Sequence, residues 1–316
     1  MTGTEPPWVH DLRAQGMSAT WSDHGACWVR FKKVAHLRYP TNDLRPIGAA
    51  ERRELLWGRR MAVLQYHEAA PRPEDANAVL YLCTDQGYSL DSLSSNNRSK
   101  VRRSLKRLDV RLTSAQEIIA AGYPAYLDTR ERHGSSHMSP EEFRANWERQ
   151  LHVEGREIWA AWAGEEIAAF GAVHRCGRWA SISATVSSRA HMKDYPNHGL
   201  FFTVLEHLMA DPEVESVSYG LSSLRSETSI DSLHHFKVSV GLRAVPVVRT
   251  VVVHPLLRPA VNRATLLAAR SAERLAPQAR LPRAGRAALE FLLDPPGEPG
   301  EAATSGTGTE PSGAGA

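Results

Sequence analysis

The chain has 316 residues, 42% hydrophobic and 23% charged, enough to bury a core in one large domain or in two of ordinary size. A formal net charge of +3 does not imply bulk attraction to nucleic acid, so any basic segment acts locally. Three well-separated cysteines, Cys27, Cys83 and Cys176, exclude a disulfide framework and a paired thiol zinc site, and fit a reducing cytoplasm.

The opening MTGTEPPWVHDLRAQG lacks a basic region followed by an apolar run, and no stretch of about 18 apolar residues occurs, so neither a cleaved export signal nor a membrane span is expected. β-branched or aromatic runs bounded by Gly, Pro, Asp or Ser predict strands at 26–34, 61–66 and 78–84, with a helix over 48–60 between the first two. Next comes NNRSKVRRSLKR, which places Arg98, Lys100, Arg102, Arg103, Lys106 and Arg107 around an apolar stripe of Val101, Leu105 and Leu108. That spacing predicts an amphipathic helix, with Ser94 to Asn97 at capping positions. Its basic face can be solvated, can anchor a phosphate or carboxylate, or can touch RNA.

A strand at 109–113 and a helical run over 115–133 follow. Ser139-Pro140-Glu141-Glu142 starts the next helix, with a serine cap, proline at the first position and glutamate three residues after the cap. Strands at 157–163, 167–175 and 179–187 are joined by Gly164-Glu165-Glu166 and Gly177-Arg178, short enough for hairpins, so the three form an antiparallel meander. A helix over 199–209, a strand at 215–220, a helix over 228–240 and a strand at 247–255 complete the alternation. Beyond it, arginines at 258, 263, 270, 274, 280, 283 and 286 are interleaved with Leu and Ala. These read as short amphipathic helices broken at Pro277 and Pro282, either solvated or applied to an anionic surface. Residues 295–316, without an aromatic or large apolar side chain, are expected to be a disordered tail.

Four stretches in this order resemble the GNAT superfamily of N-acyltransferases, and within it the Fem-type peptidoglycan aminoacyltransferases. They are Ser94 to Arg107 before the Asp109-Val110 strand, 129-TRERHG-134, 195-YPNHGLFFTVLEHL-208, and 219-YGLSS-223 followed by 233-LHHFKVSVG-241. The resemblance covers about residues 20 to 256. It implies an α/β fold with a GNAT-like mixed, largely antiparallel sheet flanked by helices, in two GNAT-like halves in tandem at 1–113 and 114–256, before basic helices at 257–294. The glycine-rich acetyl-CoA loop of ordinary GNAT enzymes is reduced here to one glycine, Gly199.

A glycine at a helix entry lets backbone N–H groups approach a pyrophosphate, with the helix dipole favouring its charge. The GNAT pattern assigns that contact with the acyl-CoA donor to Asn197, His198, Gly199 and Leu200. Arg98, Arg102 and Tyr195 are the expected substrate-binding side chains. Leu233, Phe236 and Val240 share a helix face, which leaves Lys237 beside a buried Phe236; the resemblance places this lysine at the transfer site, where its charge can meet an oxyanion. Candidate proton carriers are His174, Tyr219 and His234 or His235, with His235 taken first of that pair.

No G-x-S-x-G elbow and no sequence-adjacent Ser/His/Asp triad suggests a covalent intermediate, and the fourteen histidines show no metal-ligand spacing. The expectation is therefore a cytoplasmic, metal-independent N-acyltransferase that moves an acyl group from acetyl-CoA or another acyl-CoA to a small-molecule or cell-wall-precursor amine by direct attack. Transfer from aminoacyl-tRNA is the first alternative. A GNAT-like binding module without catalysis is the second.

Overall fold

A computed structural model of the chain describes residues 4–14, 16–31, 35–149, 156–223 and 230–275, together with 286, 289 and 293. The expected tail at 295–316 and most of 276–294 lie outside the described residues.

One sheet runs through the molecule. In chain order its strands are β1 (Ala19–Trp21), β2 (Cys27–Phe31), β3 (Ala35–Tyr39), β4 (Val63–Ala69), β5 (Ala78–Cys83), β6 (Asp109–Leu112), β7 (Arg156–Ala163), β8 (Glu166–Cys176), β9 (Trp179–Ser187), β10 (Ser216–Ser223) and β11 (Arg243–Val253). In space they are ordered β1-β2-β3-β4-β11-β5-β10-β9-β8-β7-β6. Among the described residues only β3 with β4 and β9 with β10 run parallel; every other neighbouring pair is antiparallel.

The helices are α1 (Pro7–Ala14), α2 (Ala49–Arg53, continued by a π-helical turn over Glu54–Gly58), α3 (Ser95–Arg107), α4 (Ala115–Ala121), α5 (Tyr123–Arg132), α6 (Pro140–Glu148), α7 (Pro196–Met209), α8 (Ile230–Ser239) and α9 (Arg263–Leu275). A repeat emerges from this order. Meander β1-β2-β3, helix α2 and parallel strand β4 are followed later by meander β7-β8-β9, helix α7 and parallel strand β10. The repeats interlock, because β5 lies between β11 and β10, and β11 lies between β4 and β5.

Two cores hold the second repeat. On one face Val101 of α3 and Leu200, Phe201 and Leu205 of α7 pack on Trp159, Val173, Ile182 and Val217. Helix α7 is apolar nearly all round, with Leu200, Phe201, Phe202, Val204, Leu205, Leu208 and Met209 buried, as a central helix must be. On the other face Ile118, Phe143 and Trp147 of α4 and α6 pack on Ile158, Trp162, Phe170 and Val186. Each such side chain contributes about 1.5–3 kcal/mol on burial.

Local chemistry explains most boundaries. The Ser139 hydroxyl accepts from the Glu142 N–H at 3.2 Å while the Glu142 carboxylate accepts from the Ser139 N–H at 2.9 Å, fixing the start of α6. Gly164 and Gly177 take φ of 65° and 62° at the two hairpins. The single helix expected over 115–133 is instead α4 and α5, since the chain turns at Gly122, where an added Cβ would lie 2.7 Å from the Ile118 carbonyl oxygen. The strand expected over 26–34 ends as β2 at Phe31, and a further strand, β3, follows from Ala35.

Candidate active site

β9 and β10 stay paired through Trp179/Ser216, Ala180/Val217 and Ser181/Ser218, and then part. Beside the gap, β9 bulges opposite Gly171 of β8; a Cβ at Gly171 would lie 2.9 Å from the Thr185 methyl, so the missing side chain makes room for Thr185. The Thr185 and Tyr219 hydroxyls meet at 2.5 Å.

Lys237 of α8 arrives at the same place. It is 4% exposed, and its Nζ stands 4.1 Å from the ring centre of Tyr81 and 5.2 Å from that of Tyr219. No carboxylate is ion-paired with Lys237 among the described residues, and burial pushes its pKa down to about 8. Two aromatic faces thus stand where a counter-ion would be expected, which suits a desolvated ammonium. Gly220, which Nζ faces, takes φ 67° where β10 shifts register against β5, a conformation that favours glycine.

Tyr81 comes from β5, far away in sequence, and sequence reading missed it. Its hydroxyl shares a 2.9 Å hydrogen bond with His234 Nδ1. Of the paired histidines it is therefore His234 that joins the cage; His235 is exposed. His174 is not brought to it either, because it stands on β8, separated from β10 by β9 and paired in register with Arg156. Burial, and then the nearby Arg156 charge, lower its pKa to about 4, so it is neutral at pH 7.

An aromatic series leads from Tyr219 to the surface. Successive ring centres are 4.5 Å apart for Tyr219 and Phe201, 5.2 Å for Phe201 and Phe236, 5.3 Å for Phe236 and His198, and 5.6 Å for His198 and Tyr195. At its outer end Lys100 and Arg103 lie over the Tyr195 ring, at 5.8 and 5.6 Å, and Arg107 pairs with Asp194 at 2.5 Å. Arg98 and Arg102, one turn apart, fall on the opposite side of α3: Arg98 pairs with Asp91 and Arg102 is exposed. The basic helix thus offers this end of the site Lys100 and Arg103.

The start of α7 is tightly used. A Cβ at Gly199 would lie 2.3 Å from Ser104 Oγ, so this glycine serves the contact between α3 and α7, and Leu200 is buried in the core. The N–H groups of His198 and Gly199 both reach the Tyr195 carbonyl, at 2.9 and 3.3 Å, and Pro196 has none. In the first turn this leaves the Asn197 N–H for a ligand. Gly199→Ala is accordingly expected to cost about 1–3 kcal/mol through overpacking. A thermal melt checks this, and Ser104→Gly in the same chain should recover most of the loss.

Beyond the gap, on the α5 and α6 side, lies a cavity of about 380 Å³ lined by Tyr126, Arg130, Phe143, Trp147, Phe170 and Thr185, among others. Thr185 is thus shared between its wall and the hydrogen bond to Tyr219. Among the described residues no cluster of His, Cys, Asp and Glu could hold a metal ion.

No protein-family model and no curated protein matches the sequence. Solved structures do resemble it. FemX is 11% identical, with 80% of this chain and 92% of that chain covered at a TM-score of 0.54. The C-terminal domain (DUF2156) of a putative lysylphosphatidylglycerol synthetase from Agrobacterium fabrum is 15% identical, with 79% and 88% covered at 0.51. A tandem GNAT protein from the clavulanic acid biosynthesis pathway is 13% identical, with 72% and 78% covered at 0.43. The chain thus shares its fold with FemX and with the DUF2156 domain.

Proposed function

We propose that the chain is an acyltransferase in which an acceptor amine attacks an activated acyl carbonyl at the gap between β9 and β10. One observation carries this reading: Lys237, a buried ammonium with no carboxylate paired to it among the described residues, is held against two tyrosine rings at the edge of that gap. Direct attack by an amine needs positive charge where the carbonyl oxygen becomes negative and a proton for the departing group. Lys237 supplies the charge. Burial raises the Tyr219 pKa, so its hydroxyl stays protonated and can give a proton to the leaving atom while regaining one from the attacking nitrogen, with Thr185 as its hydrogen-bond partner. His234 orients Tyr81, and the aromatic cavity beside Thr185 takes the apolar body of the acceptor.

The donor we place first is acyl-CoA, with its phosphates against Lys100 and Arg103 and the Asn197 N–H. A specific observation favours a second reading, an aminoacyl ester of tRNA: the first turn of α7 has too few unspent N–H groups to cradle a pyrophosphate by backbone alone. Ribonuclease treatment separates the two. Under the first reading the purified protein transfers labelled acetyl groups to a panel of amines after digestion, and CoA at roughly a hundred times its Kd raises stability by about 2.7 kcal/mol. Activity lost on digestion and restored by charged tRNA, with affinity falling by roughly 0.7 to 0.9 log units per phosphate contact per decade of salt, would move the donor to tRNA.

A further inference from the structure

We infer that α9 and the turn before it form a docking surface for an anionic membrane. After β11 the chain makes a 3-10 turn over Pro255–Ala260 and enters α9, whose first turn is capped by Asn262 accepting from the Thr265 N–H at 2.9 Å. Thr265, Leu266 and Ala269 are the half-buried positions of α9. At spacings of four, three and four residues, Arg263, Leu267, Arg270 and Arg274 line one outward face, and all four are exposed. The arginines therefore surround a leucine that is 61% exposed.

Three further exposed apolar side chains stand on, or against the start of, the turn that leads into α9. Leu256 is 73% exposed and Leu257 43%, on the turn that also carries the exposed Arg258. Trp57, 51% exposed, stacks edge-on at 4.4 Å against His254, the residue that leads into the turn, and is followed by Arg59 and Arg60. Glu273 is the one acidic residue between Pro255 and Leu275. A tryptophan and leucines set among arginines match the boundary between lipid headgroups and acyl chains, where apolar side chains enter and guanidinium groups meet phosphate. A strand of RNA would reward the arginines alone and leave the three leucines in water. No helix among the described residues is long and apolar enough to cross a membrane, so the contact lies in the plane of the surface. The proposal stands apart from the acyl-transfer reading, since none of these residues belongs to the Lys237 cage.

The test is co-sedimentation of the full chain with vesicles of phosphatidylcholine alone and with about a third phosphatidylglycerol. Binding to the anionic vesicles near physiological salt, weakening as salt rises, and little binding to phosphatidylcholine are expected. Arg263→Gln, Arg270→Gln and Arg274→Gln together should weaken it by about a hundredfold, and Leu256→Ser with Leu267→Ser by about tenfold or more. Both variants should melt with the parent, as surface substitutions do. Absence of binding to the anionic vesicles overturns the proposal. So does a leucine variant that binds vesicles as the parent does, or tRNA binding carried by the same three arginines in a chain that ignores the vesicles.

Discussion

Lys237→Met is expected to lower kcat by roughly a hundredfold or more, the scale of losing one oxyanion donor, while leaving the fold at least as stable. Methionine keeps most of the aliphatic length and still packs between the rings of Tyr81 and Tyr219, so only the charge is removed. The two effects have one origin. Burial disfavours the ammonium, lowering its pKa from 10.5 to about 8, and the folded chain therefore carries this charge at neutral pH at a cost that methionine does not bear. The sign with pH follows. Between about pH 8 and 10.5 the unfolded chain holds this proton and the folded chain releases it, so parent stability rises relative to the variant across that window. The parent's kcat should fall above pH 8 as the ammonium is lost. Melts at about pH 7 and pH 9.5, with a kcat profile, check the set; near-normal turnover in the variant would make Lys237 a packing residue.

The second large effect belongs to the first repeat. β3 and β4 pair through Ala35/Val63, His36/Leu64 and Leu37/Gln65 and then part, as β9 and β10 do. Here the opening is stapled. The buried guanidinium of Arg38 donates to the carbonyls of Asp43, Arg45 and His67 and lies 5.7 Å from the Tyr66 ring centre. Arg38→Met should leave those carbonyls and the nearby Asp43 carboxylate without this partner, at a cost of roughly 3–5 kcal/mol, on the order of ten degrees in Tm. At temperatures where the variant remains folded its kcat should match the parent's, because nothing at Lys237 has moved. A loss of kcat without a loss of Tm would instead place chemistry in this first opening.

The residues that the sequence made legible are those whose neighbours are local. The Ser139 cap and the hairpin glycines each declare themselves within a turn or two of chain, whereas the face expected to bury Leu233 and Phe236 does not: Leu233 is exposed, Phe236 is half-buried, and Lys237 is the buried side chain. Tyr219 was visible as a strand end. Tyr81 was not, since nothing within AVLYLC says that β5 will lie beside a strand from the other repeat. The basic helix is amphipathic, but Leu105 of its expected stripe is exposed while Ser104 is buried, and the proposed choice of Lys100 and Arg103 over Arg98 and Arg102 requires knowing which element faces it, here the turn at Asp194 and Tyr195. Glycine misled for a similar reason. Gly199 resembles a ligand-loop glycine and fits against Ser104, whereas Gly171, with no signal in the sequence, makes the space beside Thr185. A missing side chain says that something comes close, without saying what.

The exchange of β5 and β11 between the repeats governs how the chain must be made. As the polypeptide leaves the ribosome, β4 and β5 emerge early, yet neither can be flanked as in the finished sheet until β11, the last strand, has been synthesised and inserted between them. Until then their backbone edges are open to other chains, the exposure that drives misassembly in slow, long-range β topologies. A nascent chain halted before Arg243 would carry the lysine with its tyrosines but no strand to close the middle of the sheet.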